Sequence, residues 1–225
     1  MANGNSIAFG YNDGTDNSGR MNNMKIYETS TAPNPRRVRI FLHEKNIVMD
    51  YVQVDIAKGD NLSAAMRRKN PMAKVPILEF NDGTCISETV SICRYFEEIQ
   101  PLPPMMGSSP VEKAQIDMWQ RQVEFGLFMP VGMCFQHTSS YFKDRMTPVK
   151  EYGVTAGKNA EDFLHILEQR LGEKAFIAGS TFSIADITAV CAIDFARVVN
   201  IRISSKQINL QRWYDMVKGR PSFKA

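Results

Sequence analysis

Three short stretches of this 225-residue chain combine polar side chains with local backbone features that suit ligand binding. The first is Thr29–Pro35, a loop rich in hydroxyl groups that leads into a predicted helix. The unpaired N–H groups and the macrodipole at a helix N-terminus stabilise an anion, and a thiolate held there has a lowered pKa. The stretch therefore predicts an anion site, with a simple helix cap formed by Asn34 as the alternative.

The second stretch is Lys74-Val75-Pro76, which lies just before a predicted hairpin. A proline that opens a strand is unusual, because it has no N–H to donate to the sheet. A cis Val75–Pro76 peptide bond explains this position and turns the Val75 main chain toward the loop after the first strand. There the Val75 N–H and C=O would pair with an extended peptide ligand. The alternative is a trans proline in an edge strand.

The third stretch, Ser87-Glu88-Thr89, opens another predicted helix. Its N–H groups and a hydroxyl suit a ligand carboxylate, and Glu88 suits an ammonium group. The alternative is an ordinary first helical turn with a favourable acidic residue. Together the three stretches fit an extended ligand that carries a carboxylate and an amine at one end and a thiol in its middle. Glutathione has that chemistry.

The elements that position these stretches alternate between strand and helix in the first hundred residues. Hydrophobic periodicity and capping signals predict a first strand at 25–28, a helix that starts at Pro35 with Asn34 as N-cap, and a second strand at 51–55. A weak helix at 61–69 follows. Next come a hairpin with strands at 76–80 and 84–86 and a helix with Ser87 as N-cap. A strand–helix–strand unit implies a parallel strand pair, and a hairpin adds antiparallel strands. We therefore predict a small mixed sheet.

After a proline-rich linker at 101–110, every predicted element is a helix. One helix is expected at about 113–135 with a kink near Pro130, and another starts at Thr147-Pro148. Ser183-Ile-Ala-Asp186 predicts a capping box ahead of a helix at 187–199 that is apolar on nearly all sides. That helix should form the buried centre of a bundle, and a last helix surrounds Trp213.

The composition indicates a folded globular protein. Hydrophobic residues make up 44% of the chain and charged residues 23%. No run of about 18 apolar residues exists, so no membrane span is predicted. The net charge of +3, with 27 basic and 24 acidic residues, is too small for a nucleic-acid-binding surface.

The four cysteines and the first residues of the chain add two further expectations. Cys85, Cys93, Cys134 and Cys191 have no CxxC spacing and lie in apolar stretches, which predicts buried free thiols in a reducing cytosol rather than a metal site or redox dithiol. Residues 1–23 are rich in Gly, Asn, Ser and Asp, which predicts a disordered tail and neither a secretory signal nor a transit peptide.

Residues 24–225 resemble the cytosolic glutathione S-transferases in five stretches that occur in the family's order. The stretches are 32–42, 70–78 (Asn70-Pro-Met-Ala-Lys-Val-Pro-Ile-Leu78), 86–92, 182–187 and 220–223. The resemblance implies a thioredoxin-like α/β N-terminal domain at 24–100, the linker at 101–110 and an all-α helical-bundle domain at 111–225. It also implies that Ser183 and Asp186 form the family's capping motif, which serves folding.

The resemblance assigns a role to each residue of the second and third stretches. Pro76 would be the family's cis-proline, and the Val75 backbone would pair with the cysteinyl part of glutathione. Glu88 and Thr89 would hold the γ-glutamyl group, at a position where the family usually has Ser in place of Thr89. Lys74 would approach the glycyl end of the ligand.

One position departs from the family pattern. Family members usually activate the thiol with a Tyr, Ser or Cys early in the loop after the first strand. No cysteine precedes Cys85, which disfavours cysteine-type thiol transfer, and the usual hydroxyl position holds Ala32. Asn34 matches an asparagine near the glutathione sulfur in the similar nu-class proteins. We therefore predict Asn34 first and Thr31 second as the activating residue, with Ser30 as a further alternative.

The function implied by the resemblance is that of a glutathione transferase. It would use glutathione as co-substrate without a metal, stabilise the thiolate and conjugate it to a small hydrophobic electrophile in detoxification. A cytoplasmic homodimer that binds neither nucleic acid nor membrane is expected. We predict that the electrophile pocket lies between the domains and is lined by Met105, Met106, Phe128, Met129 and Met133. Two alternatives are a glutathione-dependent disulfide reductase or peroxidase, and a non-catalytic glutathione-binding or interaction protein on the same fold, which Ala32 favours.

Overall fold

The computed structural model describes residues 20–224, with the backbone alone for 20–23. Within that range the strands are β1 (Arg20–Glu28), β2 (Val48–Gln53), β3 (Ile77–Phe80) and β4 (Cys85–Ser87). They form a sheet in the order β2-β1-β3-β4, in which β2 is parallel to β1, while β3 is antiparallel to β1 and β4 to β3. The predicted small mixed sheet with its hairpin is confirmed.

Two strands start three or more residues before the predicted position, because pairing with neighbouring strands determines where they begin. β1 pairs Arg20 with Val48, so its backbone takes in residues 20–23 that we assigned to a tail. Residues 1–19 of that predicted tail lie outside the described residues. β2 starts three residues earlier than expected and pairs Tyr51 with Ile26. In both cases the partner strand extends the element beyond its local hydrophobic pattern.

The helices of the first half are α1 (Pro33–Glu44), α2 (Ala64–Lys69) and α3 (Thr89–Ile99). α1 has Ala32 as N-cap, so the predicted Asn34 cap is wrong, and Asn34 lies in the first turn. Two prolines in this turn are tolerated because the first N–H groups of a helix have no intrahelical partner. The N-cap of α3 is Glu88 rather than the predicted Ser87, because Ser87 is paired in β4.

The second half contains helices only. They are α4 (Pro110–Val123), a π-helical turn (Glu124–Phe128), α5 (Met129–Thr138), α6 (Lys150–Glu173), α7 (Ile184–Ala196) and α8 (Ile208–Lys218). The predicted kink near Pro130 takes the form of this π-helical turn. A proline has no N–H and its ring displaces the carbonyl four residues earlier, here that of Gly126.

α7 is the buried centre of the helical half, as predicted. Every residue from Ile184 to Ile193 is buried. The capping box of Ser183 and Asp186 is present, and Asp186 Oδ1 also accepts from the Trp213 indole at 2.8 Å. A single cluster of buried apolar side chains runs from β1 and α1 through α4, α6 and α7 to α8. The sheet and the bundle therefore share one continuous core.

The cysteines are free thiols, as predicted: Cys93, Cys134 and Cys191 are buried, and Cys85 is half-buried. Burial raises the pKa of the Cys93 thiol to about 12. Across the described residues, no helix is both long and apolar enough to span a bilayer. The same part of the chain brings no three His, Cys, Asp or Glu side chains together in a metal-binding group.

Candidate functional site

A cleft of about 340 Å³ lies between the loop before α1, the segment before β3 and the connection from α5 to α6. The sheet domain contributes three predicted site residues to the lining, and the helical domain contributes a wall that the sequence did not predict. The lining residues are Ala32, Asn34, Ile56, Asn61, Leu62, Met72, Ala73, Lys74, Val75, Gln136, Phe142, Arg145 and Met146. Asn34 precedes Lys74 and Val75 by 40 or more positions in the sequence. The fold therefore brings distant predicted residues into one cavity.

The Val75–Pro76 peptide bond is cis, as predicted, and both residues are buried. Two buried asparagines fix the backbone beside it: Asn61 Nδ2 donates to the Ala73 carbonyl at 2.7 Å, and Asn70 Nδ2 donates to the Lys74 carbonyl at 2.9 Å. Within the described part of the chain, no hydrogen bond involves the Val75 N–H or C=O. This main chain is therefore available to pair with an extended ligand.

The supporting role of these two asparagines was missed from the sequence. Asn70 was part of the stretch that carries the family resemblance, but nothing local indicated that its side chain reaches the Lys74 carbonyl. Asn70-Pro71 did signal a turn, because Asn Oδ1 commonly accepts from the N–H two residues on, as Asn70 does here from Met72 at 3.0 Å.

Asn34 presents its amide at the start of α1, between the sheet and the helical half. Its Oδ1 accepts from Arg37 Nη1 at 3.1 Å and from Thr89 Oγ1 at 3.5 Å. Thr89 is buried at the N-terminus of α3, so the third predicted stretch adjoins the cleft through this hydroxyl. Glu88 is exposed and has φ 69°, a left-handed conformation that is rare for Glu, and such strained residues cluster at functional sites.

The hydroxyl groups of the first stretch lie outside the cleft lining. Thr31 is exposed and does not line the cleft, whereas Ala32 does. Thr29 Oγ1 donates to the Val54 carbonyl at 2.6 Å, and the Ser30 carbonyl accepts from Arg39 at 2.7 Å. Of the two predicted activating side chains, Asn34 is the one that lines the cleft.

The predicted methionine wall is wrong. Met105 and Met106 are 2% exposed and belong to the core. The linker is held against the protein there, because the Ile184 N–H donates to the Met105 carbonyl at 3.1 Å and the Met106 N–H donates to Glu97 Oε1 at 2.9 Å. Phe128 and Met133 are not among the cleft-lining residues, and Met129 is exposed elsewhere.

The opposite wall comes instead from the end of α5 and the connection to α6. Phe142 and Met146 contribute apolar surface, and Arg145 donates to the carbonyls of Ile56 and Ala57 after β2. The connection is thereby tied across the cleft to the sheet side.

The electrostatics of the cleft favour a negatively charged ligand. None of the residues that line it is acidic, whereas Lys74 and Arg145 are cationic. The N-terminus of α1, with the positive end of its macrodipole, opens on the same cavity through Ala32 and Asn34. This arrangement suits carboxylates at the rim and a thiolate near Asn34.

Comparison with known proteins identifies the fold. Residues 26–104 match the family model of the glutathione S-transferase N-terminal domain, and residues 131–221 match that of the C-terminal domain. The chain belongs to the glutathione S-transferase family. Its thioredoxin-like N-terminal domain and all-helical C-terminal domain are therefore those of the glutathione S-transferase fold, as predicted.

Alignments with individual relatives span most of the length of this glutathione S-transferase. Glutathione S-transferase 2 of Saccharomyces cerevisiae is 33% identical over 205 residues, which are 89% of this chain and 88% of the yeast protein. The crystal structure of Gtt2 from Saccharomyces cerevisiae superposes with a TM-score of 0.86 at 33% identity, covering 89% of this chain and 98% of the other. A glutathione S-transferase domain-containing protein from Marinobacter aquaeolei gives a TM-score of 0.85 at 36% identity, covering 88% and 98%.

Proposed function

We propose that this glutathione S-transferase binds glutathione in the cleft, stabilises its thiolate and conjugates the sulfur to a small hydrophobic electrophile. The observation that carries the proposal is the meeting of the Asn34 amide, the unpaired Val75 backbone and the N-terminus of α1 in one cavity without acidic residues. This combination supplies donors for an extended peptide and a positive potential for its sulfur.

Each part of the ligand has a matching group. The Val75 N–H and C=O pair with the cysteinyl residue beside Pro76, as one strand pairs with another. Lys74 takes the glycyl carboxylate, because it is an exposed cationic residue that lines the cleft. Glu88 and Thr89 take the γ-glutamyl group, the first by its charge and the second by its place at the N-terminus of α3.

The chemistry follows from the ionised sulfur. The thiol loses its proton to solvent, the thiolate forms a carbon–sulfur bond with the electrophile, and the leaving group departs with its bonding electrons. Because Ala32 brings no hydroxyl, the Asn34 N–H groups and the N-terminus of α1 stabilise the anion. Lowering the thiol pKa by about two units requires about 3 kcal/mol, which one or two hydrogen bonds to a charged sulfur supply.

The electrophile occupies the apolar part of the same cleft. Leu62, Met72, Phe142 and Met146 face this space from both domains. Methionine side chains adapt their shape to different ligands, so a range of small hydrophobic electrophiles fits this wall.

The test is the ultraviolet absorbance of the bound thiolate as a function of pH, in the parent protein and in the variants Asn34→Ala and Thr31→Ala. Asn34→Ala is expected to raise the thiol pKa and to lower kcat/KM with a small aromatic chloride by about tenfold or more, the equivalent of one hydrogen bond to a charged group. Thr31→Ala is the matched control and should behave like the parent. A thiol pKa that neither change affects would show that the site is wrongly assigned.

The same assay separates the alternatives. Faster turnover of a hydroxyethyl disulfide than of the aromatic chloride would indicate disulfide chemistry. Retention of glutathione without turnover of either substrate would indicate a binding or interaction protein on the same fold.

We also propose that the protein acts as a homodimer in the cytoplasm, a reducing compartment that suits its four free thiols. An apolar face on α4 and the helix after it supports a second copy as the partner: Val111, Met118, Phe125 and Met129 are each between 46% and 67% exposed and recur at helical spacing. Sedimentation of the parent and of Met118→Glu tests this, and the variant is expected to be monomeric while keeping its helical circular dichroism. A parent that sediments as a monomer would refute the dimer.

A further inference from the structure

A buried arginine links the candidate site to the helical domain. The Arg37 side chain is 2% exposed, although it carries a full charge. Its Nη1 donates to Asn34 Oδ1 at 3.1 Å, and its Nη2 donates to Glu124 Oε1 at 3.0 Å. The centre of the Phe128 ring lies 4.7 Å from the guanidinium carbon Cζ. A buried charge with this many fixed partners is held in one geometry, because the loss of any partner would leave it incompletely compensated.

The guanidinium determines which way the Asn34 amide faces. Arginine has five N–H donors and no acceptor, so the amide atom that contacts Arg37 must be the oxygen. The Thr89 hydroxyl approaches the same oxygen at 3.5 Å. No described residue hydrogen-bonds to Asn34 Nδ2, and Asn34 lines the cleft. The amide nitrogen is therefore available to donate into the cavity.

We propose that Arg37 is a positioning residue: it holds the Asn34 amide oxygen toward the interior so that the NH₂ group donates to the glutathione thiolate. The inference rests on the proposed function. Without Arg37 the amide rotates freely and presents its oxygen to the sulfur for part of the time, and an acceptor beside an anion is repulsive. Arg37 does not touch the ligand, and its effect passes through Asn34.

The helical domain takes part in this positioning. Glu124 begins the π-helical turn and Phe128 ends it, and both contact the same guanidinium. The turn before Pro130 therefore places a carboxylate and an aromatic ring around Arg37, while Arg37 itself belongs to α1 of the sheet domain. π-helical turns are found preferentially at functional sites, and this one supports the site indirectly.

A double-mutant cycle tests whether Arg37 acts through Asn34. The thiolate absorbance of bound glutathione is titrated in the parent, Arg37→Met, Asn34→Ala and the double variant. Arg37→Met should raise the thiol pKa by about one pH unit, the effect of one hydrogen bond to a charged group. In the Asn34→Ala background the same change should have no further effect. Thermal unfolding of each variant verifies that it is folded.

Arg36→Met is the matched control for charge. Arg36 precedes Arg37 in the same helical turn, but it pairs with Asp194 at 2.5 Å on the side of α7. Its loss removes an equal charge without touching Asn34, and the thiol pKa should stay at the parent value. An equal rise in both arginine variants, or an Arg37 effect that persists in the Asn34→Ala background, would overturn the positioning role.

The outcomes distinguish this inference from the proposed function. If Asn34→Ala itself leaves the thiol pKa unchanged, the proposed thiolate site is wrong. If Asn34→Ala raises the pKa and Arg37→Met does not, the site stands and the role of Arg37 is refuted. Should Arg37→Met not fold, Arg37→Lys replaces it in the cycle, because it keeps the charge and loses the planar fork that fixes the amide. The expected pKa rise and its absence in the Asn34→Ala background are then the same.

Discussion

Lys45 Nζ lies 2.7 Å from Glu97 Oε2, and both side chains are buried. The same ammonium group donates to the carbonyls of Gln100 at 2.7 Å and Pro103 at 2.9 Å. Lys45 directly follows α1, and Glu97 lies in α3. The hydrogen bonds that Lys45 donates to Gln100 and Pro103 therefore anchor the start of the linker to the sheet domain, a role that the linker's composition did not indicate.

We predict that Lys45→Met destabilises the protein by about 3–5 kcal/mol, because it leaves the Glu97 carboxylate buried without a counter-charge. The double variant Lys45→Met/Glu97→Gln should lose less than the single variant, since no unpaired charge remains. Urea unfolding measures both free energies. A double variant that is less stable than Lys45→Met would contradict this account of the pair.

Gly126 in the π-helical turn has no room for a side chain. A Cβ there would lie 2.2 Å from the Phe163 ring, so Gly126→Ala should destabilise the protein by about 1–3 kcal/mol through forced displacement. Gly132, within α5, is the matched control, because a Cβ there would meet nothing within 4 Å. Gly132→Ala should gain up to about 1 kcal/mol from helix propensity. Chemical denaturation that gave the two alanine variants equal stability would rule out this contrast.

Asp186 makes stability depend on pH. Burial, despite hydrogen bonds from Ile177, Trp213 and Ser183, raises the pKa of this carboxyl to about 6, above the value of about 3.9 in an unfolded chain. The folded state therefore binds this proton more tightly, and the resulting stabilisation is complete below pH 4 and lost as the pH rises through 6. Relative to Asp186→Asn, the parent should lose about 2 kcal/mol between pH 4 and pH 7.

Urea unfolding of the parent and Asp186→Asn across that pH range measures the difference. Asn keeps an acceptor for the Trp213 indole but has no ionisable proton, so it isolates the titration. A stability difference that instead moves in favour of the parent as the pH rises would mean that the hydrogen bonds outweigh burial.

Arg145 closes the cleft on the side of the helical domain. We predict that Arg145→Ala frees the connection between α5 and α6, because its guanidinium donates to the Ile56 and Ala57 carbonyls. Loss of about 1 kcal/mol of local stability corresponds to about fivefold faster proteolysis within that connection. Lys143→Ala, at a neighbouring exposed position, should leave the cleavage rate unchanged. Equal cleavage of the two variants would show that the contact does not hold the connection.

Several local elements of this fold could be predicted from residues that are close together in the sequence. The hairpin follows from Asn81-Asp82-Gly83: the Asp82 carboxylate accepts from the Thr84 N–H at 2.8 Å, and Gly83 adopts φ 86°. The capping box of Ser183 and Asp186 is likewise formed by residues three apart. Such features depend on interactions within a few residues, so local residue type predicts them.

The tertiary structure alone decided which groups share the cleft. The family resemblance predicted both Asn34 and Thr31 as activating residues, but only the packing of the two domains places the first on the cavity and leaves the second outside its lining. The hydrogen bonds from Arg145 to the Ile56 and Ala57 carbonyls, and from Arg37 to Glu124, join residues 87 or more positions apart in the sequence. No local pattern encodes such contacts, because they arise from the relative placement of whole helices and strands when the common core forms.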